Sequence, residues 1–238
     1  MRDVDVLVHA AFLRAGRTAH ESSRRNIGAT VRAYGACAAT EARFVFLSSL
    51  SATPQARSEY GRHKYALERA LANCAALVLR PGLIVGNGGL IAALHAAVLR
   101  GFVPLVDGGT QLAQVVGIDD LADAILLSLG PRLAGSYTVC AAESITIRAI
   151  AESLAERADA QPRYLSIPWR PAFAGASLAE AIGLTLPLTT ENLWGLRNTT
   201  LQMPSAELQQ LGWRARDWRE LLPALTFDAG STGGGRRE

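Results

Sequence analysis

Apolar residues in the first hundred positions fall in short continuous runs. Val4 to His9 (VDVLVH), Arg43 to Leu47 (RFVFL) and Ala76 to Leu79 are apolar at successive positions, not alternate ones. Such runs predict strands covered on both faces, the kind that build parallel sheets. Between them, Asn26 to Thr40 and Glu59 to Asn73 predict helices, and in the second Tyr60, Lys64 and Glu68 recur every fourth position. Helical connections of this length allow crossovers, each expected to be right-handed. Arg80-Pro81-Gly82 is expected to stop the third strand, and the glycine-rich turn from Gly86 to Gly89 to open a helix from Leu90 to Arg100. The alternation predicts an α/β fold.

Beyond residue 100 the pattern loosens. Gln114 to Val116 and Ser136 to Val139 predict short strands. Asp119 to Leu129 predicts a helix whose acidic first turn suits the dipole, with Asp119 or Asp120 as its cap. Ile145 to Arg157 reads as helical and Tyr164 to Pro168 as a short strand. Pro162, Pro168, Pro171 and Pro187 are expected to break the next stretch into small pieces. Pro204 opens a helix to Leu211, and Asp217 caps a last one ending near Leu225. This layout predicts a sheet-based unit over residues 1–140 and a small, mainly helical lobe over 141–228. Residues 229–238 (AGSTGGGRRE) read as a disordered tail.

Composition narrows the function classes. The chain is 49% hydrophobic and 19% charged, which excludes a mostly disordered polymer. Its net charge is only +3 and its basic residues are scattered, so no stripe tracks a phosphate backbone and no nucleic-acid partner is expected. Cys37, Cys74 and Cys140 lie far apart in apolar surroundings, without metal-ligand or disulfide spacing. They read as buried thiols in a reducing, cytoplasmic compartment, and no metal is expected. Leu83 to Leu99 is the one membrane candidate. It is short for a span and carries Asn87, His95 and three glycines, so a loop feeding a buried helix is the expectation.

The chemistry centres on Tyr60-Gly-Arg-His-Lys64. Positions four apart share a helix face, and an ammonium near a phenol favours the phenolate. A tyrosine tuned this way can pass a proton to or from a hydroxyl or carbonyl oxygen. Ser49 ends the preceding strand, at the edge where parallel sheets place their sites, and its hydroxyl can reach the same oxygen. His63 points off the shared face and reads as a surface residue.

With these residues in view, the chain resembles the short-chain dehydrogenase/reductase superfamily, in particular its extended or atypical branch of NAD-dependent epimerases and dehydratases. Asp5-Val-Leu-Val-His-Ala-Ala11 looks like the family's fourth strand and cofactor-lining loop. Asn26-Ile-Gly-Ala-Thr30 is similar to its N-x-x-G-T helix, and Phe44 to Ser49 to the strand with the active-site serine. Arg80 to Gly86 is similar to the segment beside the nicotinamide, and Val115 to Ala122 to V-x-V-x-D-V-A. The resemblance implies a Rossmann-like sheet, NAD or NADP as cofactor and a small-molecule substrate, with nucleotide sugars a candidate class. It implies Tyr60 as acid/base, Lys64 as ribose ligand and tuner, Ser49 as substrate-orienting hydroxyl and Asn26 in the proton relay. Ala10, Ala11, Pro81, Gly82, Leu83 and Ile84 would line the cofactor, and Asn87 would face the substrate, to which residues 83–112 also contribute. A homodimer through the helices bearing Asn26 and Tyr60 is a further implication.

The sequence departs from the family at its start. The family opens with a strand, a GxxGxxG turn and a helix that meets the pyrophosphate, and no such turn occurs here. The expectation is therefore an N-terminally truncated Rossmann-like domain with an exposed apolar flank beside Val4 to His9 and weakened cofactor affinity. A non-catalytic binding or scaffold protein is the alternative to an NAD(P)-dependent oxidoreductase, epimerase or dehydratase.

Overall fold

A computed structural model describes residues 4–13, 19–130, 133–184, 189–197 and 200–227; the expected tail at 229–238 lies outside the described residues. Four parallel strands form the main sheet: β1 (Val6–His9), β2 (Arg43–Leu47), β3 (Ala76–Pro81) and β7 (Gly135–Val139), in the order β1-β2-β3-β7. Helices α1 (Ala19–Ala38) and α2 (Glu59–Leu71) connect the first three.

The continuous apolar runs are explained by burial on two sides. Phe44, Phe46, Ala76 and Val78 pack with Cys37, Leu67 and Leu71 against the helical layer of α1 and α2. Their neighbours Val45, Leu77 and Leu79 point the other way. They meet Leu121 and Ala124 of α4 (Ile118–Leu129), and also Leu208 and Trp213. A fully buried Leu or Phe contributes roughly 1.5–3 kcal/mol, so this two-faced sheet is a major stabilising unit. β1 stands at one end of this strand order, and its Val8 is 40% exposed.

The remaining strands are shorter. β4 (Leu83–Val85) pairs with β6 (Leu112–Gly117) in parallel, and β6 with β8 (Ser144–Thr146) in antiparallel register. β5 (Phe102–Val106) pairs with β9 (Arg163–Ile167). Both small sheets thus join strands from before and after residue 140. Between them lie α3 (Gly89–Leu99) and α5 (Ile147–Arg157), which share a core with Val103, Val115 and Leu222. The C-terminal part adds α6 (Trp169–Ala181), α7 (Thr190–Arg197), α8 (Ala206–Gln210) and α9 (Trp218–Ala224), capped by Asp217 as expected.

Several details differ from the sequence expectation. β3 runs on through Arg80 to Pro81. Pro171 does not break α6, because it stands in the first turn, where its missing N–H has no intrahelical partner to lose. Asp120 does not cap α4. Gly117 occupies that position, and the Asp120 carboxylate is buried and bonded to Arg216 (Nε to Oδ1, 2.7 Å). Among the described residues no helix is long and apolar enough to cross a membrane.

Candidate active site

The site is built where α2 meets the carboxyl edge of the main sheet. Ser58 caps α2 by accepting the Gly61 amide (3.1 Å). The Glu191 carboxylate of α7 accepts the next two free amides, those of Glu59 (2.9 Å) and Tyr60 (3.0 Å). The segment between β2 and α2 is pinned to β3 by Ser48 N–H to Leu79 O and Leu50 N–H to Pro81 O. It passes so close to α2 that a Cβ on Gly61 would lie 2.5 Å from the Ser51 carbonyl oxygen. The glycine of the Tyr-Gly-Arg-His-Lys segment therefore fixes the approach of the serine loop. Ser49, half-buried on that loop, pairs its hydroxyl with that of Ser51 at 2.9 Å.

Tyr60 and Lys64 share a face, as their spacing predicts. Lys64 is 2% exposed, and its Nζ donates to the Leu47 carbonyl at the end of β2 (2.6 Å). The ammonium stands 5.7 Å from the Tyr60 ring centre, 4.6 Å from that of Phe46 and 5.4 Å from that of Phe12. Burial pushes its pKa down to about 8, partly opposed by the Glu68 carboxylate. Phe12 closes the arrangement with an edge contact to Tyr60 (4.8 Å between ring centres). His63 also lies near Phe12, half-buried rather than on the surface, and its Nδ1 is buried with no hydrogen-bond partner. Burial lowers its proton affinity.

Beneath the pair lies a polar network that sequence reading missed. Glu68, one turn beyond Lys64 on α2, receives Arg80 Nε on both oxygens (2.9 and 3.0 Å) and Arg80 Nη2 on Oε2. The Ser48 hydroxyl donates to the same carboxylate, and Arg80 reaches on to the Ala52 carbonyl (3.3 Å). A carboxylate on the buried face of a helix needs a cation. The signal available was an arginine next to last in the strand that lies beneath that face.

Asn26 is buried and clamps the loop after β1, accepting the Leu13 amide (2.8 Å) and donating to the Leu13 carbonyl (3.0 Å). Its own carbonyl accepts the Thr30 hydroxyl, which lies 2.9 Å from His9 Nε2. Asn26 thereby holds the loop that carries Ala10, Ala11 and Phe12. On the opposite side, Pro81 ends β3, and a Cβ on Gly82 would collide with the Gln114 carbonyl of β6. Leu83 and Ile84 follow in β4, and Asn87 is exposed in the turn before α3.

Comparison with known proteins identifies the lineage. The family model "NAD dependent epimerase/dehydratase family" matches residues 1–139. The chain belongs to this family. An uncharacterized protein, y4nG, of Sinorhizobium fredii is 31% identical over 141 residues, covering 56% of this chain and 36% of that protein. Subunit 9 of the NADH dehydrogenase [ubiquinone] 1 alpha subcomplex, mitochondrial, of Arabidopsis thaliana is 30% identical over 142 residues, covering 57% and 35%. The matched segment thus spans about a third of each of these relatives. The fold matches UDP-glucose 4-epimerase of Thermus thermophilus, solved in complex with NAD, with a TM-score of 0.67 at 20% identity over 92% of this chain and 76% of that one. At that identity the likeness is one of fold: a Rossmann-like parallel sheet with added C-terminal helices.

Proposed function

We propose that this protein is an NAD(P)-dependent oxidoreductase or epimerase/dehydratase, acting at a carbon that bears a hydroxyl or carbonyl, with nucleotide sugars a candidate substrate class. The observation that supports this reading is the buried Lys64 ammonium 5.7 Å from the Tyr60 ring, at the carboxyl edge of a parallel sheet. A cation at that distance favours the phenolate, so Tyr60 gives or takes the proton of the substrate oxygen. Ser49 orients that oxygen from the strand end. When bound, the nicotinamide supplies or accepts the hydride.

The residues present fit the nicotinamide-ribose end of such a cofactor. Lys64 spends one of its three N–H donors on Leu47, which leaves two for ribose hydroxyls. Ala10 and Ala11 on one side and Pro81, Gly82, Leu83 and Ile84 on the other would flank the ring. Asn26 acts as a positioning residue through its grip on Leu13. For the pyrophosphate, no GxxGxxG turn lies between a strand and a helix among the described residues.

Tyr60→Phe tests the reading. Hydride transfer should be lost while nicotinamide binding, measured by calorimetry, is kept. Equal turnover in the variant and the wild type would remove Tyr60 from the chemistry. A second reading, a non-catalytic binding subunit, is favoured by the Phe12 ring packed over the Tyr60–Lys64 pair. It is supported if wild type binds cofactor without turning over any ketone or nucleotide sugar.

A further inference from the structure

Lys64 is the only lysine in the chain. Its Nζ makes one hydrogen bond among the described residues, to the Leu47 carbonyl (2.6 Å). Three rings stand around the rest of the ammonium, with centres 4.6 Å (Phe46), 5.4 Å (Phe12) and 5.7 Å (Tyr60) from Nζ. Rings grouped around a desolvated cation form an aromatic cage, and this one leaves Lys64 only 2% exposed. So enclosed, the ammonium gives no hydroxyl from outside the chain a path to Nζ.

The three walls differ in how they are held. Phe46 belongs to β2, between β1 and β3, and is fully buried with Leu67 and Val78. Tyr60 belongs to α2, and Glu191 holds its amide. Phe12 belongs to neither strand nor helix. It lies on the loop after β1, where Ala10, Ala11 and Leu13 are exposed and Phe12 alone turns inward. Asn26 grips the backbone of the next residue through both bonds to Leu13. The Phe12 ring can therefore leave by side-chain rotation about a held backbone, past two alanines that put no bulk in its way.

Closure also carries a cost. His63, 6.3 Å from Phe12 between ring centres, keeps a buried Nδ1 without a hydrogen-bond partner. A buried polar atom without a partner is unfavourable, and so is an ammonium stripped of water. One edge contact and one cation–π contact are thus set against two unhydrated polar groups, terms of similar size. A ligand with a modest preference for the open ring is enough to tip such a balance.

We infer that Phe12 is a gate over Lys64: its ring closes the cage, and it must rotate out before a ribose diol can take the two N–H groups left on Nζ. The identity of that diol rests on the function proposed above. The gate itself does not, and it is read without cofactor.

Because the chain has one lysine, reductive methylation with formaldehyde and a borane, read by peptide mass spectrometry, reports on Lys64 alone among side chains. The full chain is labelled at about pH 9, above the folded Lys64 pKa of about 8, where an accessible amine would react readily. Wild type is expected to react far more slowly than the same chain unfolded in urea. Phe12→Ala should react at least about tenfold faster than wild type, the weight of the two ring contacts removed. Phe12→Trp, which restores a ring, should stay slow, and hydrogen exchange of the α2 backbone should be unchanged in both. Should Phe12→Ala unfold the chain, Phe12→Leu decides. In stopped-flow mixing with NADH, the binding rate of wild type should level off at the rate of gate opening, whereas that of Phe12→Ala should keep rising with concentration. Equal labelling of wild type and Phe12→Ala, wild-type labelling as fast as in urea, or faster exchange along the whole of α2 would each overturn the gate. Slow labelling relieved by Phe12→Ala, with no NADH binding to either protein, would support the gate and remove the proposed cofactor instead.

Discussion

The Glu191 carboxylate accepts the backbone N–H of Tyr60 at 3.0 Å, across a separation of 131 residues in sequence. The first amides of a helix have no partner within it, and a negative group there also meets the positive end of the dipole. The helix that carries Tyr60 and Lys64 is therefore completed by α7, an element of the C-terminal part. Glu191→Ala should cost about 1 kcal/mol, the usual loss of a helix cap. In thermal unfolding that corresponds to about 2–4 °C for a chain of this size. An unchanged melting temperature would show that the contact contributes nothing to α2.

Glu68 is bound by Arg80 and Ser48, and its side chain is 6% exposed. Removing one partner of a buried pair leaves the other charge uncompensated. Glu68→Gln is expected to destabilise by about 3 kcal/mol in urea unfolding. Adding Arg80→Met should cost less than the sum of the two single changes, because the second change removes the stranded charge. Strict additivity would mean the two residues act independently.

What could be read from the sequence follows the physics of each element. β2 and β3 were legible because both faces are covered, so Phe44 to Leu47 and Ala76 to Leu79 are apolar without a break. Tyr60 and Lys64 were legible because helical spacing alone places them together. β5 was not, because Pro104 interrupts its pattern; the strand tolerates it because its one paired neighbour is β9. Glu191 carries no local signal as a cap, since its amides belong to a distant helix. Phe12 over Lys64, and Arg80 on Glu68, arise from tertiary packing and have no periodicity to betray them.

Gly61 is helical, so its glycine identity is a matter of space. An added Cβ would sit 2.9 Å from both Ala56 Cβ and Ser58 Oγ, besides its 2.5 Å approach to Ser51 O. Two of these neighbours are backbone oxygen and the capping hydroxyl, neither of which can yield without moving the loop that carries Ser49. Gly61→Ala should destabilise by about 1–3 kcal/mol, the range for overpacking a tight contact. Turnover should fall more than binding, since Ser49 moves with the loop. A variant as stable and as active as wild type would show that the loop gives way freely.

The buried ammonium predicts a pH dependence with a definite sign. Burial holds the Lys64 pKa at about 8 in the folded chain, against 10.5 for an ordinary lysine. Between those values the unfolded chain keeps a proton that the folded chain has released. The unfolded state then binds more protons, and stability rises with pH through this window. The gain is on the order of 3 kcal/mol by the upper end of the window. Other groups titrate nearby, such as Cys140, whose thiol burial pushes up to about 11, so the measurement is a difference. Urea unfolding of wild type and Lys64→Met should diverge in slope across that window, with only wild type gaining the Lys64 contribution. Phe12→Ala admits water to the ammonium, so its pKa should rise and the gain should shrink. Parallel pH profiles for all three proteins would show that Lys64 is hydrated in solution, and with it would go the electrostatic tuning of Tyr60.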